Sequence, residues 1–106
     1  MLMKEMINTG VDIVVWKEIE QFAEKYKIQK VILFGSRARG DYRRTSDIDL
    51  AVYGGDVAAF MLDVDEETST LLKFDIVNMD KPVQEELKQS IGKEGRVIYE
   101  VLSDVL

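Results

Sequence analysis

Residues 30–53 read KVILFGSRARGDYRRTSDIDLAVY. The first five, KVILF, form a short β-rich apolar run that Gly35 ends. A strand at 30–34, covered on both faces, is the expectation. Residues 47–53, DIDLAVY, alternate in polarity. Successive strand side chains point to opposite faces, so Asp47, Asp49 and Ala51 share one face and Ile48, Leu50 and Val52 the other. Between the two runs, residues 36–40 fit a short helical turn, followed by a loop rich in Arg, Asp and Thr. That link is short for a full parallel crossover. The stretch also poses a physical question, because two acids open what reads as a buried strand. Burying carboxylates is costly unless something cationic meets them.

Outward from this centre the chain alternates elements. Residues 11–26 place Val15, Ile19, Phe22 and Tyr26 at helical spacing among charged residues, which predicts an amphipathic helix. After Gly54-Gly55, residues 57–67 read as a helix with Phe60, Met61 and Val64 as its stripe. Residues 71–77, LLKFDIV, alternate, with Leu72, Phe74 and Ile76 on one face and Lys73, Asp75 and Val77 on the other. Pro82 is suited to the first turn of a further helix through Val83, Leu87 and Ile91, with Gly92 and Gly95 marking its end. RVIYE at 96–100 fits a last strand, and the tail VLSDVL fits core or docking surface equally. The fold class expected is α/β (α+β): a small mixed β-sheet with helices packed on one face, in one domain spanning 1–106.

Composition narrows the chemistry. The 106 residues contain no Cys and no His. Thiol and imidazole nucleophiles, bases and metal ligands are therefore excluded, and any metal must sit on oxygen, which favours Mg²⁺, Mn²⁺ or Ca²⁺. The net charge is −6, opposite to that of a binder of long nucleic-acid tracks. Yet Arg37, Arg39, Arg43 and Arg44 crowd into eight residues against one acid, Asp41. A local basic patch on an acidic chain suits a small phosphate-bearing ligand or a charged partner. The opening MLMKEMIN has no apolar run of signal-peptide length and no stretch approaches a membrane span, so a cytoplasmic location is expected.

Asp47 and Asp49, with Asp75 on the next strand, form a carboxylate cluster if the strands are neighbours in register. Clustered anions raise one another's pKa, and a divalent cation relieves that. Magnesium takes a few carboxylates together with water and substrate phosphates. Gly35 lets backbone N–H groups approach a ligand closely, and the Ser36 hydroxyl at a helical turn completes a phosphate cradle. The loop arginines can add charge-assisted bonds to a triphosphate. A phosphate cradle beside carboxylate-held metals is equipment for phosphoryl transfer.

Gly35-Ser36, ten residues, then Asp47-Ile48-Asp49 resembles the Gly-Ser-x10-Asp-x-Asp pattern of the DNA polymerase β-like nucleotidyltransferases. With the wording FGSRARG…SDIDLAV and the small size, the chain looks most like the minimal nucleotidyltransferases over residues 28–100. The resemblance implies that Asp47 and Asp49 bind two metal ions, Mg²⁺ or alternatively Mn²⁺. It implies that Asp75 binds the catalytic ion and helps deprotonate the acceptor. It implies that Gly35 and Ser36 bind the triphosphate, that Arg37 and Arg39 neutralise its charge, and that Ser46 holds the loop or a phosphate. It implies ATP as donor, AMP as the transferred group and a protein hydroxyl as acceptor. The implied partner is a HEPN-domain toxin in a toxin–antitoxin pair, as a homo- or hetero-oligomer. Two other readings stay open at this level: a non-catalytic antitoxin that neutralises its partner by binding, and a nucleotidyl-transfer subunit acting on a small molecule such as an aminoglycoside.

Overall fold

The computed structural model describes residues 8–102. The first helix, α1 (Ile13–Lys25), starts where the Asp12 carboxylate accepts the Val14 N–H at 2.9 Å, an N-cap that satisfies an otherwise orphaned donor. Val15, Trp16, Ile19 and Ala23 form its buried stripe. Phe22 and Tyr26 pack at the margin of that core, so the inward face is turned toward Trp16 and Ala23 relative to the expected stripe. The Trp16 indole N–H donates to Thr9 Oγ1 at 3.2 Å, which lets the polar atom enter the core.

Strand β1 (Lys30–Phe34) leads into the four-residue helix α2 (Ser36–Arg39) and then β2 (Ile48–Tyr53). The two strands pair antiparallel, as the short link requires, with Phe34 opposite Asp49. Helix α3 (Val57–Glu67) then provides the crossover to β3 (Phe74–Asn78), which lies parallel to β2 with Asp75 beside Asp49. Helix α4 (Glu85–Glu94) precedes β4 (Arg96–Glu100), which pairs antiparallel with β1 on its other side. The four-stranded sheet has the order β3-β2-β1-β4. A register shift at Val31/Ile32 lets the adjacent Ile98 and Tyr99 both join the core on the α1 side.

Helices cover both faces, which corrects the expectation of one covered face. Val31, Leu33, Ile48, Leu50 and Val52 pack against α1 and α3. Ile32, Phe34 and Ala51 pack against Ile91 of α4 with Leu87 and Val77 around them. The physical reason is β1 itself: its side chains are buried on both sides, so both sides need a cover.

Two boundaries also differ from expectation. Strand β3 begins at Phe74, later than residue 71. The Glu18 carboxylate takes the Ser69 N–H at 2.8 Å and its hydroxyl at 2.7 Å, and Thr70 Oγ1 accepts the Leu72 N–H at 3.1 Å. These local bonds divert residues 69–72 from the ladder. Helix α4 begins at Glu85, so Pro82 lies outside it, and Gly92 lies within it. Asn78 and Asp80 hold the preceding turn, the latter accepting the Gly54 N–H at 2.8 Å. Among the described residues, no helix is long and apolar enough to cross a membrane. The readings of the opening residues and of Val105 and Leu106 lie outside the described residues.

Candidate active site

The C-terminal end of β1 and the N-terminal ends of β2, β3 and β4 meet at one end of the sheet. There β1 turns sharply at Gly35, with φ 75° and ψ −159°, a region that is essentially glycine-only. A Cβ at this position would also overlap the Asp49 carboxylate. The turn and the acid thus need each other: absence of a side chain at residue 35 makes the space in which Asp49 lies. Gly35 O accepts the N–H groups of Ala38 and Arg39 at 3.1 and 3.0 Å, which winds α2 immediately after the turn. Ser36, half-buried, is its first residue.

Asp49 is half-buried and pairs in register with the exposed Asp75 on β3. Burial pushes its carboxyl up to about 6, the nearby charges of Asp75 and Asp47 and the more weakly acting Glu94 push the same way, and Arg39 opposes them. Asp47 sits one residue before the ladder and is exposed, at the edge of an open groove of about 590 Å³ that also touches Thr45, Ser69, Thr70 and Lys73. The donor set is all oxygen, and Asp49 lies in a field that a cation would relieve, so the chemistry fits a hard divalent ion. Among the described residues, no three acidic side chains stand close enough together to hold one ion between them. The fit is thus to a few carboxylates with the remaining positions left to water and phosphate.

The arginines of α2 separate into two kinds. Arg37 is 1% exposed. Its Nε donates to Ser46 O at 3.1 Å and its Nη1 to Thr9 O at 2.8 Å. Its Nη2 reaches the carbonyls of Arg43, Arg44 and Ser46 at 3.3, 3.2 and 3.0 Å, and its guanidinium lies 4.9 Å from the Tyr42 ring centre. Arg37 therefore fastens the loop into β2, in place of the phosphate contact that the sequence suggested. Ser46 belongs to the same clasp, its hydroxyl accepting the Arg43 N–H at 2.8 Å. Arg39 faces the site. It donates to Asp41 at 3.2 Å and to both oxygens of Glu94 at 3.1 Å, and the Glu94 bond, ahead of the Asp41 bond, holds its pKa above the usual value.

Two residues of the site were missed from sequence. Glu94, at the end of α4, accepts the Gly35 N–H at 3.2 Å. Arg96, at the start of β4, donates to Ala38 O from Nε at 2.9 Å and Nη2 at 2.7 Å. Both contacts span more than fifty residues of chain. The one local signal was an acid in the last turn of a helix, where the helix dipole disfavours it.

Comparison with known proteins gives the class. Residues 17–103 match the family described as Polymerase beta, Nucleotidyltransferase. The chain belongs to that family and is a nucleotidyltransferase. A Methanocaldococcus jannaschii protein with the provisional name protein adenylyltransferase is 35% identical over 98 residues, covering 78% of this chain and 96% of the relative. A crystal structure of a mutant MntA-HpeT toxin–antitoxin superposes with TM-score 0.64 at 21% identity, over 81% of this chain and 73% of that one. A crystal structure of a toxin–antitoxin with AMP-PNP gives TM-score 0.63 at 22% identity, over 81% and 73% of the two chains. These structures share the fold.

Proposed function

We propose that this nucleotidyltransferase moves AMP from ATP to a hydroxyl group of a partner protein in a magnesium-dependent reaction, and that the partner is the HEPN-domain toxin of a toxin–antitoxin pair. The observation that carries the reading is the register that seats Asp49 against the Gly35 turn on one side and beside Asp75 on the other. Phosphate donors and acids then share one sheet end. The adenylyltransferase name of the M. jannaschii relative and the toxin–antitoxin assemblies with the same fold support it.

In this reading pairs drawn from Asp47, Asp49 and Asp75, completed by water and phosphate oxygens, would hold magnesium, which would neutralise phosphate charge and favour ionisation of the acceptor. Gly35, Ser36 and Arg39 orient the triphosphate. Asp75 stands on the far side of Asp49 from Gly35, where it takes up the acceptor proton. The acceptor oxygen bonds to the α-phosphorus, the bond to the bridging oxygen breaks, and pyrophosphate leaves with that electron pair. The test supplies α-labelled and γ-labelled ATP, magnesium and a HEPN-domain protein encoded beside this chain. Label on the partner from the α-position only, lost on chelation, is the expected result. Transfer to a small molecule alone, or toxin silenced equally well by an Asp49→Asn variant, would refute it.

The two arginines of α2 give a separate prediction. Arg37→Met is expected to destabilise the fold by about 2 kcal/mol, because it strands buried carbonyls, as read by urea unfolding. Arg39→Ala is expected to leave the unfolding midpoint nearly unchanged and to weaken ATP binding by about tenfold, the loss of one charge-assisted contact.

A further inference from the structure

Glu94 sits where its surroundings should repel it. It is the last residue of α4, at the negative end of the helix dipole. It also adds to the acidic field that raises the Asp49 pKa. What holds its carboxylate is the Gly35 N–H at 3.2 Å and Arg39 Nη1, at 3.1 Å from each oxygen. Those are donors that the proposed function gives to the triphosphate, and this inference rests on that reading. The position is not a chance excursion of a surface chain. Arg96, two residues on, is bonded to Ala38 O, so the α4–β4 junction is tied to α2 from both sides of Gly95.

We propose that Glu94 is a built-in counter-anion of the nucleotide cradle: its carboxylate occupies the Gly35 and Arg39 donors and must leave them when phosphate oxygens bind. Carboxylate and phosphate oxygens compete for the same N–H groups, because both are anionic acceptors that take charge-assisted bonds. The Arg39 side chain is 45% exposed and that of Glu94 23%, so the pair is partly screened and yields to a more highly charged ligand. Glu94 thereby keeps Arg39 in place and sets the affinity for nucleotide. It is neither a ligand of the reacting phosphate nor a proton carrier.

The test is calorimetric titration of ATP with magnesium into the wild type, Glu94→Gln, Glu94→Ala and Asp41→Asn. Asp41 also pairs with Arg39, at 3.2 Å, but the Gly35 N–H is bonded to Glu94, so its variant controls for the loss of one negative charge. Both Glu94 variants are expected to bind about three- to fivefold more tightly, the upper part of the range of one partly screened ion pair, and Asp41→Asn less than twofold. Unchanged or weaker binding in the Glu94 variants, with the wild type binding normally, overturns the inference alone. Equal tightening in Asp41→Asn reduces the effect to net charge and overturns it as well. Failure of every form to bind nucleotide overturns the reading of the site and this inference with it.

Discussion

An Asp49→Asn variant is expected to melt at a higher temperature than the wild type while losing transfer activity by at least about a thousandfold. The two effects share one cause. The Asp49 carboxylate is half-buried beside Asp75 and Asp47, and its pKa stands at about 6 against 3.8 for the free side chain. The fold therefore prefers the protonated form, so the group lowers stability progressively as pH rises from about 4 to about 6, and the loss persists above that. Asparagine has the same shape and no charge to repel. Discounted for solvent access, the gain at pH 7.5 is about 1 kcal/mol, which is roughly 4–8 °C in a domain of this size. The difference in melting temperature between variant and wild type should open between pH 4 and pH 6 and then level off. Activity is expected to move the other way: in the proposed reaction the Asp49 charge would hold magnesium against the phosphates, and several kcal/mol of transition-state stabilisation correspond to about three orders of magnitude in rate. Thermal unfolding across pH, alongside a transfer assay, checks both. A variant that is less stable above pH 6, or that retains activity, contradicts the account.

Gly35→Ala should produce the largest loss of stability of any single methyl addition in the site, about 3 kcal/mol. The backbone at φ 75° and ψ −159° costs an L-residue 1–3 kcal/mol, at about that level for alanine. The added Cβ also overlaps the Asp49 carboxylate, and relieving such overlap typically costs about 1–3 kcal/mol more. Relief by moving Asp49 breaks its alignment with Asp75, so transfer should fall by more than about a hundredfold even at temperatures where the variant is folded. Urea unfolding gives the first quantity and the transfer assay at 10 °C the second. A stable, active Gly35→Ala enzyme would remove the turn from the site.

The part of the fold nearest the acids was legible because local pattern and tertiary role agree there. The KVILF run is buried on both faces, and the alternation in DIDLAVY separates Ile48, Leu50 and Val52 from Ala51 as expected. Asp75 could be named because LLKFDIV alternates in phase with it, and the parallel register then set it beside Asp49. The cover supplied by α4 was not legible, since its apolar stripe, Leu87 and Ile91, is sparse and carries no sign of which face it meets. Arg37 and Arg39 look equivalent in sequence. They are told apart only by the Thr9, Arg43, Arg44 and Ser46 carbonyls that fold around the first. Glu94 and Arg96 reach the Gly35 turn from the far end of the chain, and no local rule encodes a contact made by tertiary closure.

The central claim is that the acids around Asp49 and the Gly35–Ser36 turn form one metal–nucleotide site. Calorimetric titration of ATP into the wild type and Asp49→Asn, each with and without magnesium, tests it most directly. The account predicts binding by the wild type with magnesium, and its loss, by at least about a hundredfold, when either magnesium or the Asp49 charge is removed. Equal affinity with and without magnesium, or undiminished binding by Asp49→Asn, would contradict it.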